Sequence, residues 1–150
     1  MVHHQNSASV TSNVNQDVQF QWKLSGLTDG LSFTLRFYYG KTERNVDKLL
    51  SGENNGKPKE TIYLDDNSQA KVDGVSVDKV KASCEITIPT AICIFTISNA
   101  GYAFTGEYFF QYFHISRGYV QANSSVKLNI VGKLIRSELW SMVIRMPENV

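Results

Sequence analysis

The stretch Phe95-Thr96-Ile97-Ser98-Asn99-Ala100, followed by Gly106-Glu107-Tyr108-Phe109-Phe110, decides the fold of this chain. Its first part alternates apolar and polar side chains at the two-residue period of a half-buried strand. Its second part restarts after Gly106 as an aromatic run that is apolar on both parities. Tyr108, Phe110 and Tyr112 take one parity; Phe109, Phe113 and Ile115 take the other. Successive side chains of a strand point to opposite faces, so one row must enter a core while the other faces outward. Ile97 and Tyr108 stand eleven residues apart, across a short loop.

The same rhythm extends in both directions. Val18-x-Phe20-x-Trp22-x-Leu24 reads as a half-buried strand that stops at Ser25-Gly26, with a second turn at Asp29-Gly30. Phe33, Leu35, Phe37 and Tyr39 alternate with Thr34, Arg36 and Tyr38 up to Gly40. Residues 46–50 and 60–64 are strands on either side of the loop Gly52-Glu53-Asn54-Asn55-Gly56, and Asp65-Asp66-Asn67-Ser68 is a turn. Residues 79–88, 92–98 and 108–115 follow, then a loop opening at Ser116-Arg117-Gly118 and a returning strand, Val126-x-Leu128-x-Ile130. Val, Ile, Thr, Phe and Tyr fill these runs. The expectation is an all-β domain, a sandwich of two antiparallel sheets. The C-terminal segment reads two ways: Trp140, Met142 and Ile144 alternate as in a strand, while Ile135, Leu139, Met142 and Met146 fall at helical spacing. An extended tail or a continuation of the last strand is preferred, running into Pro147 as a linker towards a following domain would.

Residues 95–110 resemble the E-to-F corner of a variable-type (V-set) immunoglobulin domain. In that family a tyrosine follows the last inward aliphatic of strand E by eleven residues, as Tyr108 follows Ile97. The family motif Asp-x-Gly-x-Tyr-x-Cys is kept as Gly106-x-Tyr108, with Phe104 in place of the Asp and Phe110 in place of the Cys. The resemblance implies an immunoglobulin-like Greek-key sandwich over residues 8–131, a flexible segment at 1–7, and a C-terminal strand or linker at 132–150. It makes 18–24 strand B, 33–39 strand C, 46–50 strand C′, 60–64 strand C″, 108–115 strand F and 126–130 strand G.

In the family, strands B and F each carry a cysteine and strand C a tryptophan packed on their bridge. The corresponding positions here are Trp22, Phe37 (or Leu35) and Phe110. The resemblance therefore implies a domain without the B-to-F disulfide, its gap filled by rings that each contribute roughly 1.5 to 3 kcal/mol of burial. It also makes Tyr108 a tyrosine corner, its hydroxyl bonded to backbone near the E-to-F loop. Among variable-type outlines that lose this bridge, the chain is similar to the N-terminal ectodomains of cnidarian allorecognition receptors. That likeness implies an extracellular, cell-surface adhesion domain that recognises a copy of itself.

With 150 residues, 42% of them hydrophobic and 19% charged, the chain can bury one good core and is too short for two ordinary domains. A formal net charge of +1 without a basic run argues against nucleic acid or an anionic membrane as partner. The polar start Met1-Val2-His3-His4-Gln5-Asn6-Ser7 lacks the apolar core of a secretory signal, and no apolar run reaches the length of a membrane span. An extracellular protein of this sequence is then expected as an excised, mature segment with no membrane insertion of its own. The two cysteines are too few for a disulfide scaffold. If 83–86 and 91–94 are the arms of a hairpin turning at Ile88-Pro89, Cys84 and Cys93 lie directly opposite. A bridge fits there, worth about 2 to 3 kcal/mol for so short a loop, and two reduced core thiols fit as well.

The outward row of strand F defines a candidate interface. By the resemblance, variable-type domains pair through the G, F, C, C′ face, which here would present Arg36, Tyr38, Phe109, Gln111 and Phe113; exposed aromatics on a sheet mark a partner surface. The alternative is that residues 139–146 cover that sheet within the same molecule. Asn123-Ser124-Ser125 is an N-glycosylation sequon, expected in the F-to-G loop. His3, His4 and His114 share no element and make no metal site. Asp65-Asp66-Asn67 offers too few oxygens for calcium and reads as a turn. Ser76-Val77-Asp78-Lys79 matches a Ser-x-x-Lys motif but lacks the helix and partner motifs of acyl enzymes. No cofactor is implied, and an enzyme is the last of the function classes.

Three classes are carried forward. The first is extracellular recognition of a protein partner, including a copy of the chain itself. The second is a carbohydrate-binding sandwich in which Tyr38, Tyr63, Tyr102 or Trp140 stacks on sugar rings. The third is an intracellular structural domain of immunoglobulin type, where a missing bridge is natural because the cytosol would reduce it.

Overall fold

Alternation sets the core strand by strand. In β2 (Gln16–Ser25) Val18, Phe20, Trp22 and Leu24 are buried, while Gln19 and Lys23 face solvent. β6 (Val80–Thr87) buries Val80, Ala82, Cys84 and Ile86 in the same way, and β7 (Thr90–Ala100) buries Ala91, Cys93, Phe95 and Ile97. β8 (Gly106–His114) buries Tyr108, Phe110, Tyr112 and His114. The computed structural model describes residues 5–28, 30, 32–42, 45–66, 77–114, 120–132 and 140–145. Its other strands are β1 (Gln5–Asn13), β3 (Ser32–Thr42), β4 (Asn45–Asn55), β5 (Lys59–Asp66), β9 (Val120–Val131) and β10 (Trp140–Arg145).

The strands form two facing sheets. The front sheet runs β1-β9-β8-β3-β4 and the back sheet β5-β6-β7-β2-β10. Neighbours are antiparallel except at the two outer edges, where β1 lies parallel to β9 and β10 parallel to β2. Between the sheets the aromatic rings interlock. Trp22 from the back sheet stacks on Phe110 from the front, with centroids 5.4 Å apart and planes 13° from parallel. Phe37 touches both, at 5.4 Å from Trp22 and 5.1 Å from Phe110, and stacks on Phe95 at 5.0 Å. The Trp22 indole N–H donates to Ser124 Oγ across the gap at 3.1 Å, satisfying a polar group inside the core.

The cysteines are bridged. Cys84 and Cys93 are register partners in β6 and β7, their Cα atoms 4.0 Å apart, on either side of a turn whose Ile88-Pro89 bond is cis. This disulfide ties neighbours within the back sheet. It does not cross to the front one.

Three placements differ from the sequence expectation. Residues 60–64, expected beside 46–50 in the front sheet, belong to the back one: β5 pairs with β6 from Lys59↔Thr87 to Leu64↔Ala82 and meets β4 only at Leu50↔Asp66 and Ser51↔Asp65. β5 changes partner between Leu64 and Asp65, beside Gly52 of β4, where an added Cβ would stand 3.2 Å from Leu64 Cγ and crowd that side chain. Asn123 lies in β9, not in a loop. β8 and β1 flank that strand and supply backbone partners to a segment whose polarity reads as a turn. The C-terminal segment contributes β10 to the edge of the back sheet and does not continue β9. Paired strands therefore lie on both sides of the 8–131 stretch, since β1 starts at Gln5 and β10 spans Trp140–Arg145. Residues 1–4, 133–139 and 146–150 lie outside the described residues.

Candidate functional site

β3 and β8 sit side by side in the middle of the front sheet, and their register brings the expected interface residues together. Arg36 pairs with Gln111 and Tyr38 with Phe109. The Arg36 guanidinium lies over the Phe113 ring, 4.6 Å from its centroid, a cation–π contact on the outer surface. All five side chains are half-buried. They share the face opposite the core row of Leu35, Phe37, Tyr39, Phe110 and Tyr112. The described part of the C-terminal segment leaves this face open, because β10 pairs with β2 at the far edge of the other sheet.

The surroundings of this patch carry both signs of charge. Exposed Glu53 on β4 is register partner to Thr34, beside Arg36 in the same row, and Glu107 on β8 faces Lys127 on β9. On the β9 side, Asn123 pairs with Gln111, and Ser125 pairs with Phe109. Ser125 is only 2% exposed although it has outward parity.

A second constellation holds the end of the sandwich next to this sheet. The Tyr108 hydroxyl donates to Phe104 O at 2.6 Å, and the Tyr39 hydroxyl donates to Thr105 O at 2.7 Å. Thr105 Oγ1 in turn accepts the backbone N–H of Ile130 at 3.1 Å, tying the loop to β9. The Tyr39 ring occupies the place a side chain would take at Gly106: a Cβ there would fall 2.6 Å from Tyr39 Cε2. Burial raises the Tyr108 hydroxyl far above the usual tyrosine range, and the neighbouring Tyr39 adds to the rise. Burial raises Tyr39 as well. In the sequence Tyr39 shows only as one member of an alternating row; its bonds to the 103–105 turn link positions more than sixty residues apart and leave no local signal.

The remaining candidates scatter. Tyr63 is 74% exposed on the back sheet and Tyr102 is 60% exposed in a 3₁₀ turn at Tyr102–Phe104, whereas Tyr38 belongs to the front sheet. Trp140 begins β10, and its side chain lies outside the described residues. His114 is buried at the end of β8, its Nε2 sharing a hydrogen bond with the Tyr112 hydroxyl at 3.1 Å, while His3 and His4 lie outside the described residues. Asp65 and Asp66 end β5, and Asn67 and Ser76 lie outside the described residues. Lys79 donates to Asn99 O at 3.4 Å. Among the described residues no group of three His, Cys, Asp or Glu is placed to hold a metal, and no helix is long and apolar enough to cross a membrane.

No family model and no curated protein matches this chain. Solved structures do. One is described as the three-dimensional structure of NK cell receptor Nkp44, a triggering partner in natural cytotoxicity; it aligns over 84% of this chain and 99% of its own, with a TM-score of 0.58. The fold is immunoglobulin-like. Sequence identity over that alignment is 11%, so the likeness is one of backbone architecture. Trp22 on β2 of the back sheet and Phe110 on β8 at the middle of the front sheet face one another across the core.

Proposed function

We propose that this immunoglobulin-like domain is an extracellular recognition module of variable type that adheres to a second copy of itself through the outer face of β9, β8, β3 and β4. The observation that carries the reading is the contiguous half-buried patch of Arg36, Tyr38, Phe109, Gln111 and Phe113, three of them aromatic, on a face the described C-terminal strand leaves open. Aromatic side chains supply binding area at low entropic cost, and aromatics and arginine are enriched among the residues that dominate interface energetics. Arg36 and Lys127 share the face with Glu53 and Glu107, so a two-fold related copy can set each sign against the other. Placement of β4 beside β3 supports the variable-type reading, and the Tyr108 bond to Phe104 O supports its role as a tyrosine corner. The ring stack of Trp22 on Phe110 supports the reading that packing replaces the B-to-F bridge, as in the allorecognition ectodomains it resembles. The Cys84–Cys93 disulfide favours an oxidising, extracellular compartment over a cytosolic one. A sugar platform is less well supported, because Tyr38 and Tyr63 belong to different sheets and Tyr102 to a turn at one end.

Sedimentation velocity across a concentration series tests this. Phe113→Asp should weaken self-association at least tenfold while leaving the circular dichroism spectrum unchanged. Phe110→Asp should instead prevent folding, because it puts a charge where a 0% exposed ring now stacks on Trp22. Equal association by the unchanged protein and Phe113→Asp would dismiss the proposed face.

A further inference from the structure

β9 places the sequon Asn123-Ser124-Ser125 against the recognition face. Ser124 points inward, fully buried and accepting the Trp22 indole bond, so Asn123 and Ser125 take the outward parity. Asn123 is the register partner of Gln111, and Ser125 that of Phe109, two of the five residues of the patch. Asn123 is half-buried, and its Oδ1 has no hydrogen-bond partner among the described residues.

We infer that Asn123 is an N-glycan acceptor whose glycan and a docking protein compete for the same face, making glycosylation a gate on recognition. The inference rests on the adhesion reading above. A branched, strongly hydrated sugar rooted one residue from Gln111 stands over Phe109 and Arg36, and a second copy cannot approach the sheet without displacing it. The sequon lies inside a strand paired on both sides, and its Ser125 hydroxyl side chain is 2% exposed, so the folded domain is a poor acceptor. The sugar is attached before β9 docks. Two populations result, one gated and one free to bind.

The test uses the chain secreted from a eukaryotic host, with occupancy read by intact mass before and after an amidase that removes N-glycans. Ser125→Ala abolishes the sequon without adding bulk. Glu85→Asn creates a sequon with Thr87 on the exposed outer face of the back sheet, as a control for glycan mass alone. The expected result is that the Asn123-glycosylated fraction sediments as a monomer at concentrations where Ser125→Ala self-associates, with at least a tenfold difference in dissociation constant. The Ser125→Ala, Glu85→Asn double variant, glycosylated on the other sheet, should associate as Ser125→Ala does. A secreted protein carrying no sugar at Asn123, or a glycosylated fraction associating as tightly as Ser125→Ala, overturns the gate and leaves the adhesion reading standing. Failure of Ser125→Ala to associate, or association indifferent to an added Phe113→Asp, overturns both.

Discussion

Gly106 shows how one missing side chain shapes the end of the sandwich. The Tyr39 ring lies where a Cβ would be, at 2.6 Å, and cannot swing aside freely because it is 2% exposed and its hydroxyl is tethered to Thr105 O. Gly106→Ala should therefore destabilise the domain by roughly 1 to 3 kcal/mol through overpacking, read as a lower midpoint in urea. A midpoint equal to that of the unchanged protein would show that the ring relocates at no cost. The spacing Gly106-x-Tyr108 is visible in the sequence, but the reason for the glycine is not. It comes from a residue on β3, brought there by the β3–β8 register.

Within β6 and β7 the disulfide and the rings have separate duties. Cys84–Cys93 closes a loop of sequence separation 9 inside the back sheet, whereas the two sheets are held together by Trp22, Phe37, Phe95 and Phe110. A cross-link over so short a loop contributes about 2 to 3 kcal/mol. The double variant Cys84→Ala, Cys93→Ala should lower the melting temperature yet still show one cooperative transition and native near-ultraviolet dichroism. Loss of that dichroism would mean the sheets depend on the bridge. The hairpin geometry that faces the two cysteines was legible from the turn at Ile88-Pro89, because hairpin partners are fixed by local sequence. The sheet to which β5 belongs was not, because alternation in Ile62 and Leu64 says which side is buried and nothing about the neighbouring strand.

At the level of the whole molecule, stability should fall in alkali. Tyr39 and Tyr108 hold their protons above the ordinary value of 10.0 in the folded state. Their contribution is complete below that value and declines as pH rises beyond it, because only the unfolded chain gains by ionising; for Tyr108 the slope approaches about 1.4 kcal/mol per pH unit. Urea midpoints measured from about pH 9 to about pH 11 should drop, and Tyr108→Phe should flatten the slope. A pH-independent midpoint would contradict the burial of these hydroxyls. The sequence by itself determined the all-β class and the inward and outward rows of each strand, since a two-residue period fixes faces locally; that Arg36 and Tyr38 join Phe109, Gln111 and Phe113 in one patch followed from the β3–β8 register. Tertiary structure alone decided that β10 pairs along the edge of β2, that β5 changes sheets between Leu64 and Asp65, and that Asn123 stands beside Gln111 on the outer face of the front sheet. Those facts depend on which strands become neighbours, and pairing between segments far apart in the chain is chosen by the packing of the whole core.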